Sequence, residues 1–321
     1  MYQIRPLALP DDYPRLAALF SCDNPEPVSV ADLQESDSKI PAPGPVSYDE
    51  QGRLVSHCRD RYVAVDEAGR VAGYGDTWRA PWNPPGEMIC YAVVDPTLRG
   101  QGIGRLLLDR VEQTACEKGA AYIKAQLKDS DASALACVSK RGYAVDRHLF
   151  QSRLDLTTFD EAHLRRPLEG IRFFTLADEP GEATERRLYE MEALTQPDNP
   201  SFGGGLWPFE QWRLWVLETP RAVPDCFILA ADEAGRVVGT TFMHRLENGA
   251  MHTLFTGVVR EWRGRGLALA LKLQAVQAAR RHGAPYMRTD NDSQNGPMLA
   301  VNQKMGYVPL PGDYVVIKHL R

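Results

Sequence analysis

One glycine-rich turn is written twice in this sequence, and that repetition constrains the fold more than any other feature. The first copy runs Val93-Val94-Asp95-Pro96-Thr97-Leu98-Arg99-Gly100-Gln101-Gly102-Ile103-Gly104. The second runs Gly257-Val258-Val259-Arg260-Glu261-Trp262-Arg263-Gly264-Arg265-Gly266-Leu267-Ala268. Arg99 and Arg263 stand 164 residues apart, and so do Gly142-Tyr143 and Gly306-Tyr307. Upstream, Asp66-Glu67-Ala68-Gly69-Arg70-Val71 recurs as Asp232-Glu233-Ala234-Gly235-Arg236-Val237, now 166 apart. The openings at Ile4-Arg5 and Ile171-Arg172 match at 167. Four landmarks in one order with small drifts mean two homologous domains.

Each half reads alike. A short strand (Gln3 to Ala8; Gly170 to Leu176) precedes helical segments near Asp11–Phe20 and Gly181–Leu194. An irregular stretch rich in Pro and acids follows. Alternating apolar residues then flank an acid-plus-glycine turn, which predicts a hairpin at Arg61–Trp78 and again at Cys226–His244. The next strand, Met88–Val94 or His252–Val258, delivers the glycine turn to a long apolar-periodic helix stopping at Gly119 or Gly283. A strand, a helix and a last strand after Gly-Tyr complete the unit. We expect an α/β (α+β) fold: a first domain over 1–156, a linker over 157–168 containing Pro167, and a second domain over 169–321.

The 321 residues carry a net charge of −5 with basic residues dispersed, which argues against nucleic acid as a main partner. No apolar run is long enough to span a bilayer, and Met1–Pro6 has no signal-peptide core, so a cytoplasmic protein is expected. Cys22, Cys58, Cys90, Cys116, Cys137 and Cys226 form no C-x-x-C pair, so neither a metal site nor a disulfide framework is expected.

A strand, a loop of small residues and a helix N-terminus together make an anion site, because the first helical N–H groups lack partners and lie at the positive end of the dipole. A P-loop requires Gly-Lys-Ser/Thr, which neither copy has. A dinucleotide fingerprint requires a third glycine where Leu107 and Leu271 stand, and opens its domain rather than arriving late. Arg99-x-x-Gly102-x-Gly104 and Arg263-x-x-Gly266-x-Ala268 resemble instead the Gln/Arg-x-x-Gly-x-Gly/Ala pattern of the GNAT (GCN5-related N-acetyltransferase) superfamily. The resemblance covers nearly the whole chain.

It implies two tandem GNAT-fold domains, each a mixed, mainly antiparallel sheet flanked by helices. It implies acetyl-CoA as cofactor, its pyrophosphate held by Val93, Val94, Arg99, Gly100, Gln101, Gly102, Ile103 and Gly104 in copy one. In copy two the residues are Val258, Val259, Arg263, Gly264, Arg265, Gly266, Leu267 and Ala268, with Asn295 and Asn302 of the late helix along the cofactor tail. Asn295 also suits a plain helix N-cap. Copy one has Asp131 and Val138 in those two slots, a departure from the pattern, so a degenerate first site is expected and copy two is the better candidate for the catalytic domain.

The implied reaction is direct attack of an amine on the acetyl-CoA thioester within a ternary complex. A backbone N–H where strands separate near Val94 or Val258 serves the oxyanion. Many members carry a base eleven residues before the loop Arg; here that slot holds Met88 and His252. Met88 cannot take a proton, and Glu87 beside it faces the other way unless a bulge intervenes. An unperturbed imidazole titrates near pH ~6.5, so His252 is the candidate base. The slot for a general-acid Tyr holds Asn302 or Val138. On the substrate side, the stretch Thr195–Trp207 offers Asp198 to a cationic amine, while Trp212 and Trp215 read as packing residues. The expected partner is a small-molecule amine, with the protein acting as monomer or homodimer; protein or peptide N-acetylation and non-catalytic coenzyme A binding are the alternatives.

Overall fold

The computed structural model describes residues 2–22, 27–38, 43–80, 83–162, 164, 168–202 and 205–320. Pro25 and Glu26 of the first acidic loop, Pro167 of the linker, and Gly203 and Gly204 lie outside the described residues.

The first repeat runs β1 (Gln3–Pro6), α1 (Tyr13–Ser21), α2 (Val30–Ser38), β2 (Cys58–Val65), β3 (Val71–Arg79), β4 (Glu87–Val94), α3 (Ile103–Glu117), β5 (Tyr122–Lys128), α4 (Ala132–Lys140) and β6 (Ala144–Asp155). The second runs β7 (Arg172–Thr175), α5 (Glu182–Thr195), α6 (Phe209–Val216), β8 (Ala222–Ala231), β9 (Val237–Arg245), β10 (Met251–Val258), α7 (Leu267–Arg281), β11 (Tyr286–Asp292), α8 (Gly296–Lys304) and β12 (Val308–His319).

Two compact units result, but they do not follow the expected linear division. The first comprises Met1–Leu127, Asp131–Asp146 and Val315–Arg321; the second comprises Lys128–Ser130 and Arg147–Tyr314. The compact units therefore differ from the two sequence repeats, 1–156 and 169–321, in the closing strand of each. The cause is backbone pairing. In the first unit the free edge of β5 is lined by the Val315–His319 end of β12. In the second, β11 is paired antiparallel along its length by Leu149–Asp155 of β6.

Within the first unit the sheet order is β1-β2-β3-β4-β5, and within the second β11-β10-β9-β8-β7. Neighbours are antiparallel except β4 with β5 and β10 with β11, so each sheet is mixed and mainly antiparallel. The hairpins form as the sequence predicts. Asp66 Oδ1 accepts from the backbone N–H groups of Ala68 and Arg70, and Asp232 does the same for Ala234 and Arg236.

The apolar stripe of α3 buries Ile103, Leu107, Val111 and Ala115, and that of α7 buries Leu267, Leu271, Leu273 and Val276. Leu106, on the same helix, is exposed. Glycines in the neighbouring strands let each helix approach. A Cβ at Gly73 meets the Val93 carbonyl oxygen at 2.8 Å and Leu107 Cδ1 at 3.0 Å; one at Gly239 meets Leu271 Cδ1 at 2.9 Å. Among the described residues no helix is long and apolar enough to cross a membrane.

Candidate active site

Both glycine turns adopt one geometry. Gly100 and Gly102 have φ of 82° and 83°, and Gly264 and Gly266 have φ of 72° and 87°, a region that side chains resist. Arg99 Nε donates to the Val94 carbonyl at 3.3 Å, and Arg263 Nε to the Val258 carbonyl at 2.9 Å. Each arginine thereby folds its loop back onto the strand that delivers it. Gly102 and Gly266 are the N-caps of α3 and α7, and neither has a side chain to satisfy the first-turn donors. Those N–H groups stay available to an anion.

The two copies differ one strand earlier. Both parallel pairs hold for only three residues: Glu87, Met88 and Ile89 against Tyr122–Lys124, and Met251, His252 and Thr253 against Met287–Thr289. Beyond them the strands part. On its other edge β4 pairs with β3 without interruption from Ile89 to Val94. β10 instead slips register against β9 between Thr253 and Phe255, which makes Leu254 a bulged residue. The opening in the second unit thus carries a kink that the first lacks.

A cleft of about 550 Å³ fills that opening. Its walls are Leu254–Val258 of β10, the loop residues Arg263, Gly264 and Gly266, Leu267, Ala268 and Lys272 of α7, Thr289 and Asp290 of β11, Asn295, Met298, Val301 and Lys304 around α8, Thr195 at the end of α5, and Asp198 and Asn199 after it. Gly257 admits one of these walls: a Cβ there would run into Thr195 Oγ1.

Several expected site residues do not face the cleft. Val259 is buried, its N–H given to the Val238 carbonyl. Val93 and Ile103 are buried in the first unit's core, so only their backbones can serve a ligand. Arg265 lies over the Trp262 ring at 4.9 Å. Asn302 is 3% exposed and donates to Asn291 Oδ1 at 2.7 Å, which fastens α8 to β11 rather than lining a pocket. Asn295 does line the cleft, but its Oδ1 accepts from Met298 N at 3.4 Å as an N-cap, as Asp131 does for Ala134 at 2.8 Å.

Asp198, expected to attract an amine, is already engaged. Its carboxylate receives Arg260 Nη2 and Arg263 Nη2 at 2.5 Å each, and these two guanidinium groups hold its carboxyl well below the usual range. Trp212 is buried and donates to Glu192 Oε2 at 2.7 Å, whereas Trp215 and Trp207 are exposed with ring centroids 6.3 Å apart. Burial pushes the Glu192 carboxyl up to about 7.

His252 Nε2 stands 2.8 Å from Asp290 Oδ2, and Gln151 Nε2 donates to Asp290 Oδ1 at 2.9 Å. His252 itself does not line the cleft; Asp290 does. Crowding by the protein raises the Asp290 carboxyl, but the bonds from His252 and Gln151 more than offset that and keep it below its ordinary value. His244, the cross-strand neighbour of His252, has its ring fixed at 2.8 Å from the Val216 carbonyl oxygen, and burial lowers its pKa. In the first unit Met88 is fully buried, and Glu87 is taken up by Asn83 at 2.7 Å and the Tyr122 hydroxyl at 3.2 Å.

Asp225, Cys226 and His282 also cluster, with His282 Nε2 2.8 and 2.9 Å from the two Asp225 oxygens. His282 and Asp225 are thus hydrogen-bonded to each other at the end of α7, and burial pushes the neighbouring Cys226 thiol up to about 12. Asp290 and Lys272 are the site residues that sequence reasoning missed. Lys272 left one trace: it interrupts an apolar run four residues after Ala268, on the same helix face.

Two α/β domains of this topology, each delivering a glycine turn to a helix from a strand that parts from its parallel neighbour, define a tandem acyltransferase architecture. Residues 15–143 and 187–307 both match the Acetyltransferase (GNAT) family, and the chain belongs to it. The mycothiol acetyltransferase of Thermobifida fusca (strain YX) is 24% identical over 265 residues, 77% of this chain and 78% of that protein. The mycothiol acetyltransferase of Thermomonospora curvata is 27% identical over 292 residues, 88% and 91% of the two. Among solved structures, a GCN5-related N-acetyltransferase from Sphaerobacter thermophilus superposes with a TM-score of 0.68 at 24% identity, covering 100% of this chain and 96% of that one. A tandem GNAT protein from the clavulanic acid biosynthesis pathway gives 0.66 at 21% identity, covering 99% and 98%. These structural likenesses show the fold.

Proposed function

We propose that the second unit binds acetyl-CoA in its cleft and transfers the acetyl group to a primary amine of a small molecule by direct attack in a ternary complex. The observation that carries this reading is the bulge at Leu254. It opens the β10 backbone inside a cleft whose other end is the free helix N-terminus behind Arg263-x-x-Gly266-x-Ala268. An anionic pyrophosphate fits the N–H groups of the turn. The thioester arm then runs along Leu254–Val258, where β10 has left its pairing with β11 and that edge of its backbone is open to a developing oxyanion.

Asp290, not Asp198, is the carboxylate that meets the acceptor. It lines the cleft, stays ionised, and holds His252 at 2.8 Å. Asp290 faces the acceptor and His252 Nε2 stands behind it, so a proton taken by the carboxylate passes to the imidazole and the pair forms an oriented base for an incoming ammonium. The name shared by the two curated relatives favours a small-molecule acceptor over a protein.

The first unit supports a non-catalytic role. Its turn can cradle a pyrophosphate, but β4 has no bulge and Met88 fills the base position. Acetyl-CoA turnover against a panel of amines, followed by release of free thiol, tests the reading. Turnover is expected; coenzyme A binding with no turnover on any amine contradicts it. His252→Ala should lower the rate at pH 7 by about 100-fold or more while changing acetyl-CoA affinity little. An unchanged rate removes His252 from the mechanism.

A further inference from the structure

Amide formation from a thioester releases a thiolate, which needs a proton, and Asn302 has none to give. Lys272 is differently placed. Its side chain is 1% exposed, yet it lines the cleft on the same face of α7 as Ala268. Among the described residues its ammonium has no hydrogen bond and no ion pair. Its neighbour is the Tyr307 ring, 5.2 Å from Nζ to the centroid. The Tyr307 hydroxyl in turn faces Thr253, the last residue of β10 to pair with β11 before the bulge. Lys272 therefore sits beside the point where the strands part.

The charged groups on the surrounding walls are Asp290 on β11, Lys304 on α8, and Arg263 with its partner Asp198 at the loop. No carboxylate among them is paired with Nζ. Burial without a counter-charge pushes Lys272 down to about 8. The fold does not demand this lysine, because the equivalent position in the first repeat, 164 residues earlier, is Leu108. An isolated buried ammonium is costly, and an anion arriving in the cleft relieves it.

We propose that Lys272 is the general acid of the second site, donating its Nζ proton to the sulfur of departing coenzyme A. This rests on the acetyl-CoA reading above. The acceptor nitrogen attacks the thioester carbon, forming the C–N bond and placing the carbonyl pair on oxygen. When that pair returns, the C–S bond breaks and its electrons stay on sulfur. The Nζ proton moves to sulfur to give the free thiol, while the extra proton on nitrogen leaves through Asp290 and His252. Lys272 regains its proton from solvent through the cleft.

The test requires no knowledge of the acceptor. Coenzyme A is bound to the full-length protein, and its thiol is titrated by ultraviolet thiolate absorbance, with affinity measured by calorimetry in parallel. The thiol should titrate about one pH unit or more lower on wild-type protein than on Lys272→Met, which matches the volume without the charge. Lys272→Arg should restore most of the lowering, and melting curves should show both variants folded. Identical thiol titrations in wild type and Lys272→Met, with coenzyme A bound to both, overturn the proposal and leave the cofactor reading intact. Absence of coenzyme A binding to wild type overturns both.

Discussion

Replacing Glu192 by Gln should change how the stability of the second unit depends on pH. Glu192 lies on α5 under the Trp212 indole, and burial raises its carboxyl from 4.5 to about 7. The folded state therefore holds the proton more tightly than the unfolded chain. The associated stability is fully present below about pH 4.5 and is lost as pH rises to about 7, where the unfolded carboxylate gains solvation that the buried one lacks. At about 1.4 kcal/mol per pH unit, that displacement amounts to roughly 3 kcal/mol between pH 4 and pH 8. Glutamine keeps an oxygen for Trp212 Nε1 and cannot ionise, so Glu192→Gln should be nearly flat over this range relative to wild type. Hydrogen exchange of the α5 and α6 amides, measured on both proteins from pH 4.5 to 8, reads the difference locally and avoids assuming two-state unfolding of a two-domain chain. The variant should gain on wild type as pH rises. A difference between the proteins that is constant with pH refutes the assignment of a buried, neutral carboxyl.

Other positions give sharper single outcomes. Gly73→Ala places a methyl 2.8 Å from a backbone oxygen, whereas Gly239→Ala meets the flexible end of Leu271 at 2.9 Å. Both should destabilise, by about 1–3 kcal/mol, with Gly73→Ala the worse in denaturant melts. Gly266→Ala has open space but a φ of 87°, so it should weaken the start of α7 by about 1–2 kcal/mol through strain alone. Asp198→Asn releases Arg260 and Arg263 from their shared carboxylate; acetyl-CoA should bind about 3- to 10-fold tighter, with steeper salt dependence by calorimetry. Weaker binding counts against an anion site at the loop.

Much of this architecture was legible because it rests on local rules that the repeat displays twice. Asp66 and Asp232 set hairpin turns, and Gly102 and Gly266 open helices from a left-handed conformation. What escaped the sequence depends on pairings between distant segments. Nothing local says that Arg260 and Arg263 find Asp198, or that Asp290 reaches His252 from the adjacent strand. The bulge at Leu254 is equally silent, since β4 and β10 are both eight residues long and differ only in register against their neighbours. The exchange of closing strands at Arg147 and Val315 is a choice of backbone partner, and side-chain patterning does not encode it.

Hydrogen exchange of the full-length protein with and without acetyl-CoA shows whether the second unit's cleft holds the ligand, and it does so without any acceptor. Protection should concentrate in Leu254–Val258, Arg263–Ala268 and the start of α8, with His252 and Asp290 at its margin. Protection confined to the first repeat's turn at Arg99–Gly104, or no protection at saturating acetyl-CoA, contradicts binding there.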